Sequence, residues 1–179
     1  MKGLVGLAVA LLLGACTSDA HPTPASGGES DPTPFLRSCG SAVFGDPNMR
    51  NAVSIGPLIL VGIPQAAKLP PTAFEEDHGR YDAIKILAVV KGQRDVTVTV
   101  PASLRESLAL LYDPNASANK HGYPFSAGDA RVTFAACPEA DAGYNGGFIA
   151  TQPTCATLEV ETETSSDSGS LSIGRGACP

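Results

Sequence analysis

Short apolar segments rich in β-branched residues recur along the chain, separated by stretches rich in Gly, Pro, Asn and Asp. In 96–100 valine and threonine alternate strictly, so the valines are expected to face a core and the threonines to face water. Such spacing is typical of an all-β fold. Strands are expected over 53–63, 82–90, 96–100, 108–112, 130–136, 147–151, 156–162 and 170–173.

The predicted architecture is an immunoglobulin-like two-sheet sandwich of roughly 7–9 strands, with a closed β-barrel as the alternative. The chain has no Trp, which argues against a standard immunoglobulin domain with its buried tryptophan. Residues 84–90 are apolar on nearly both faces, as expected of a central strand, and 91–94 would form a hairpin to the next strand. Residues 104–111 fit a strand or a short helix, and 161–170 is expected to be a long polar hairpin loop.

The N-terminal residues have the pattern of an export signal. Lys2 precedes an apolar run over 4–13, and the small residues Gly14 and Ala15 precede Cys16. This pattern resembles the bacterial lipobox, and the resemblance implies that 1–15 is a signal peptide and that Cys16 is diacylated on sulfur. Paired acyl chains anchor a soluble domain durably, whereas one chain binds membranes only marginally. An ordinary secretory signal cut nearby is the alternative.

Five cysteines are an odd number, and assigning Cys16 to lipid leaves four that can pair completely. In an oxidising exported setting disulfides are the expected use of such a set. Four cysteines allow three connectivities, which sequence alone does not separate. We favour Cys137 with Cys155 and Cys39 with Cys178. Zinc is the rival use, but the chain has no C-x-x-C pair.

Residues 16–34 are expected to form a disordered tether, because Ser, Thr, Gly and Pro dominate and cannot bury enough apolar surface to fold. Residues 35–179 are long enough for a single domain with its own core. The formal net charge is -6, and removal of 1–15 deletes only Lys2 among charged side chains, giving -7. The remaining basic residues are scattered, so no nucleic-acid partner is expected.

The last third of the domain is similar to that of small actinobacterial secreted lipoproteins, in which a Gly-Gly-Phe run precedes a cysteine and a strand, with another cysteine near the C-terminus. The matching positions are Gly146, Gly147 and Phe148, then Cys155 with residues 158–160, and Cys178. The resemblance implies a compartment and a β-rich fold and carries no activity.

Two groups of residues have the chemistry of a site. Residues 75–78, with Tyr81 and Asp82, offer oxygen and imidazole donors for a divalent cation, although they lack the ligand spacing of an EF-hand loop. A solvated acidic loop is the favoured interpretation. His121, Ser126 and Asp129 are the residue types of a hydrolytic triad, but the chain has no G-x-S-x-G elbow, and the surrounding glycines and proline indicate a turn.

The segment 141–148 is the candidate binding loop, with Tyr144, Asn145 and Phe148 as its contacts. The favoured interpretation is a hairpin loop enclosed by the predicted bond between Cys137 and Cys155, with Phe148 pointing into the core, because the conformational need of a hairpin explains the glycines by itself.

We therefore expect a non-catalytic binding or accessory module, held by membrane lipid on the extracytoplasmic face of the cell membrane. An envelope protein or a wall polymer is the expected partner, and no catalytic residue, cofactor or metal is expected. The alternatives are an extracytoplasmic hydrolase using His121 or His78, and a small-ligand or metal carrier.

Overall fold

A computed structural model describes residues 31–45, 49–138 and 141–178. Cys16, the predicted signal and most of the predicted tether lie outside them. The strands are β1 (Phe35–Arg37), β2 (Ala52–Ile55), β3 (Leu58–Val61), β4 (Ile84–Lys85), β5 (Leu87–Lys91), β6 (Val96–Thr99), β7 (Leu108–Leu111), β8 (Arg131–Phe134), β9 (Asp141–Tyr144), β10 (Gly147–Ala150), β11 (Thr154–Glu161) and β12 (Ser166–Ile173). One short α-helix, α1 (Ile63–Ala66), and several 3-10 turns connect them. Among the described residues no helix has the length and apolar character needed to cross a membrane.

The strands form three open sheets, with the orders β1-β8-β6-β11-β12, β2-β3-β5-β9 and β4-β10-β7. The second and third sheets meet at Ile86, which separates β4 from β5 and donates its backbone N–H to the Gly146 carbonyl at 3.0 Å. Buried residues from all three sheets belong to one hydrophobic cluster. The all-β sandwich predicted from the sequence is confirmed, and none of the described sheets closes into a barrel. The described residues form twelve strands in three sheets, whereas roughly 7–9 strands in two sheets were expected.

The alternation in β6 is confirmed for its valines, because Val96, Val98 and Val100 are all buried. Thr99 is also buried, contrary to the expectation that the threonines face water. On the neighbouring strands Arg131 lies opposite Thr99 and Glu161 lies opposite Thr97. The Arg131 guanidinium donates to the Glu161 carboxylate at 2.8 Å, so this ion pair reaches across β6.

Two predicted connections differ in the structure. The segment expected as one strand over 53–63 is the hairpin β2–β3, because Gly56 adopts a φ of 53° and turns the chain. Residues 91–94 do not form a hairpin, since β5 pairs with β3 and β9 whereas β6 pairs with β8 and β11. They carry the chain from one sheet to another. In the segment 104–111, Leu104 ends the 3-10 turn Ala102–Leu104, 105–107 continue as a turn, and the last four residues form β7.

The predicted disulfide pairing is wrong, because the bonds join Cys39 to Cys137 and Cys155 to Cys178. β1 pairs in parallel with β8, which places Arg37 opposite Phe134 and brings Cys39, just after β1, beside Cys137, just after β8. The hairpin β11–β12 returns the end of β12 to the start of β11, where Cys178 meets Cys155.

The polar hairpin loop predicted over 161–170 is shorter than expected, since β12 begins at Ser166.

Candidate functional site

Two tight turns carry the candidate site. The first, 77–80, is closed by reciprocal backbone hydrogen bonds, from the Asp77 N–H to the Arg80 carbonyl at 2.8 Å and from the Arg80 N–H to the Asp77 carbonyl at 3.1 Å. The second, 119–122, is closed in the same way between Asn119 and Gly122, with both bonds at 3.1 Å. The backbone therefore fixes the shape of each turn.

A backbone bridge holds the two turns side by side. The Tyr81 N–H donates to the Tyr123 carbonyl at 2.8 Å, and the Tyr123 N–H donates to the Tyr81 carbonyl at 2.9 Å. The Arg80 guanidinium adds a 2.9 Å hydrogen bond to the Gly122 carbonyl. Gly122 has a φ of 94°, and a Cβ there would lie 2.3 Å from the Tyr81 carbonyl oxygen. Only glycine fits this close approach.

The tips of the turns bring two histidines onto one carboxylate. His78 Nδ1 donates to one oxygen of Asp77 at 2.5 Å, and His121 Nδ1 donates to the other at 2.6 Å. The two imidazole rings are 4.3 Å apart between centroids, and one potential metal-ligand atom from each of the three residues lies within 4.8 Å of the others. His78 has a φ of 55°, a left-handed conformation that is uncommon for a non-glycine residue.

Hydrogen bonds from the two histidines favour the ionised form of the Asp77 carboxyl. The donors His121 and, to a smaller extent, His78 lower the pKa of the Asp77 carboxyl below its ordinary value. The carboxylate is therefore ionised at neutral pH and accepts both imidazole N–H groups. Asp77 and His121 also line a small cavity of about 140 Å³ whose other side chains all carry charge, Glu75, Arg80, Asp82 and Lys120.

A larger cleft of about 660 Å³ adjoins the cluster and shares Asp82 and Lys120 with that cavity. It lies between α1, β4 and the turn 119–122. Its apolar walls come from Ala66, Leu69, Ala73 and Ile84, and its polar groups from Gln65, Lys85, Asn119 and Tyr123. Apolar walls with a few polar side chains are the usual composition of a small-molecule cleft, and its volume falls in that range.

The structure does not assemble a triad from His121, Ser126 and Asp129, the residue types that the sequence analysis weighed and interpreted as a turn. Among the described residues no hydrogen bond joins His121 to either of the others, since its Nδ1 donates to Asp77. Ser126 is exposed in a 3-10 turn. Asp129 pairs through its backbone with Leu110, and burial, with the nearby Asp113 charge, raises the pKa of its carboxyl.

The segment predicted as a binding loop is extended strand. Tyr144 ends β9 and Phe148 lies in β10, and both side chains are buried, as the favoured interpretation predicted for Phe148. The Tyr144 hydroxyl donates to the Ala135 carbonyl at 2.8 Å. Gly147 serves close strand packing and not a hairpin, because a Cβ there would lie 2.0 Å from the Ile84 carbonyl oxygen. Asn145 alone of the three is exposed.

The cluster of Asp77, His78 and His121 was missed as a unit by the sequence analysis. His78 and His121 were noted in separate segments, and 44 residues separate Asp77 from His121. The signal available in the sequence was that the predicted domain contains only these two histidines. Comparison with protein-family models gives no match for this chain, and comparison with curated proteins gives none either.

Proposed function

We propose that the protein is a lipid-anchored, extracytoplasmic binding or accessory module of the cell envelope, attached through Cys16 and acting without catalysis. The observation that carries this proposal is the use of cysteine. The two disulfides take four of the five cysteines, and the fifth stands at the cysteine position of the lipobox-like segment. Stable disulfides belong to oxidising compartments outside the cytoplasm.

The binding role is supported by the cleft between α1, β4 and the turn 119–122. The side-chain oxygen of Asn119, one of its polar groups, accepts the backbone N–H of His121 at 2.8 Å, so this group would lose little freedom when a ligand binds. The partner is an envelope protein or a wall polymer. The cleft is lined by two basic residues, Lys85 and Lys120, and one acidic residue, Asp82, on a chain that is acidic overall. This local excess of positive charge favours a partner with anionic groups at this face.

Membrane attachment is tested by cell fractionation and by metabolic labelling with an alkyne fatty acid. We expect Cys16→Ala to abolish labelling and to remove the protein from the membrane fraction, while the control Ser18→Ala retains both. A Cys16→Ala variant that stays quantitatively in the membrane would show that lipid is not the anchor. Alkylation without reduction should leave Cys39, Cys137, Cys155 and Cys178 unlabelled.

The binding role is tested by crosslinking in living cells followed by mass spectrometry, comparing the native chain with Lys85→Glu. Capture of one envelope protein by the native chain and its loss in Lys85→Glu would support a protein partner. Retention of the purified native chain, but not of Lys85→Glu, on isolated cell wall would support a wall polymer. Failure of both assays would contradict the binding role while leaving the anchor untouched.

A further inference from the structure

We infer that Asp77, His78 and His121 form a binding site for a divalent transition metal, with zinc as the best-matched ion. This inference rests on the proposed binding role, which it deepens by naming a ligand, and it does not depend on lipid anchoring. Two imidazoles and one carboxylate are a donor set that zinc accepts. Three protein ligands leave a fourth position of a tetrahedral ion open to water or to a bound partner.

The backbone of the two turns holds the three donors close together. The turns 77–80 and 119–122 are each closed by two backbone hydrogen bonds, and the bridge between Tyr81 and Tyr123 fixes one turn against the other. In addition, the backbone N–H of His121 donates to the side-chain oxygen of Asn119 at 2.8 Å, and this bond orients the tip of the second turn. A metal would therefore meet ligands whose backbones are already in place, so little ordering entropy opposes its binding.

The chemistry of the cluster also fits a cation. Both Nδ1 atoms face the Asp77 carboxylate. A metal ion would take the place of the hydrogen-bonded protons between them, with each imidazole staying neutral by carrying its proton on Nε2. Zinc binds neutral imidazoles and a carboxylate, and the ligand atoms of these three residues all lie within 4.8 Å of one another. The side chains of Asp77 and His78 are largely exposed, at 59% and 74%, so an ion can reach them directly.

The position of the cluster suggests what the open metal position would face. Lys120 and Asp82 line both the small cavity beside the cluster and the larger cleft. A bound zinc ion would place positive charge next to this cleft and could accept an oxygen ligand from an anionic partner. The metal site and the cleft would then act as one binding face.

The test is isothermal titration of zinc chloride into the full chain, purified in detergent as cells make it. We expect one zinc ion per chain. Asp77→Asn, His78→Ala and His121→Ala should each weaken binding at least about tenfold, since loss even of a residue that supports a ligand costs that much. Glu106→Gln, which removes an exposed carboxylate outside the cluster and its cavity, and His21→Ala, which removes the third histidine of the chain, should bind zinc as the parent does.

Cobalt provides a second measurement that reads the ligands directly. The visible absorption of Co²⁺ bound to the parent should indicate four coordination by nitrogen and oxygen, and zinc should displace it. Asp77→Asn keeps the shape of the side chain, so its folding can be matched to the parent by circular dichroism. Absence of zinc binding, equal weakening by Glu106→Gln, or loss only in His21→Ala would overturn the inference. If the chain stays in the membrane fraction but binds no zinc, the metal site is refuted and the proposed lipid-anchored role is not.

Discussion

The hydroxyl of Tyr112 donates a 3.0 Å hydrogen bond to the carbonyl of Ile86, the residue between β4 and β5. Both residues are almost fully buried. Burial also raises the pKa of the Tyr112 hydroxyl well above its ordinary value, so the group remains a donor at any physiological pH. This bond supports the point at which the second and third sheets meet.

Tyr112→Phe is expected to lower the free energy of unfolding by about 1–3 kcal/mol, because it leaves the Ile86 carbonyl buried without its partner. Urea denaturation followed by circular dichroism measures the change. Tyr81→Phe is the matched control, since its hydroxyl bonds to the exposed side chain of Glu76. An equal loss in both variants would contradict a special role for Tyr112.

The two disulfides are expected to differ in their contribution to stability. They span sequence separations of 98 and 23 residues. In the chain-entropy model, opening the longer loop costs about 5 kcal/mol and opening the shorter one about 3 kcal/mol. In thermal unfolding, the double variant Cys39→Ser with Cys137→Ser should therefore lose more stability than the double variant Cys155→Ser with Cys178→Ser. The reverse order would show that effects in the folded state outweigh chain entropy.

Gly122→Ala should damage the turn 119–122 more than Gly79→Ala damages the turn 77–80. Both glycines have positive φ, at 94° and 76°, so both variants carry backbone strain of about 1 kcal/mol or more. Only at Gly122 would the added Cβ collide with backbone, whereas nothing lies within 4 Å at Gly79. Hydrogen exchange at the Tyr81 and Tyr123 amides should accelerate in Gly122→Ala alone.

Asp129 should make stability depend on pH. Its pKa is raised in the folded state, first by burial and then by Asp113. The native chain therefore loses stability as the pH rises from the unfolded-state pKa through the folded-state pKa, and the loss is complete above the latter. Asp129→Asn should be more stable than the parent at neutral pH, and this advantage should vanish below the ordinary aspartate value. Denaturant titrations of both proteins at several pH values measure this difference in stability. If Asp129→Asn were more stable by the same amount at every pH, ionisation of the Asp129 carboxyl would not be the cause.

Local patterns were sufficient to predict most strands, because alternation and turn residues act over a few positions. β6 and β10 were found this way. The three residues of β1 were not, since so short a segment carries no period, and its parallel pairing with β8 is a long-range contact. Missing that pairing led to the wrong disulfides. The cluster of Asp77 and His121 was missed for the same reason, because only the bridge between Tyr81 and Tyr123 brings their turns together.

The disulfides also determine how the fold would transmit a mechanical load. A pull on the N-terminal side of the chain would first peel the edge strand β1 and then reach Cys39, where the bond to Cys137 diverts the tension past the residues between them. Cys155 and Cys178 divert it again. The covalent route from one end of the domain to the other therefore passes only through 137–155. Most of the sandwich, including both turns of the candidate site, lies outside that route and is shielded from tension.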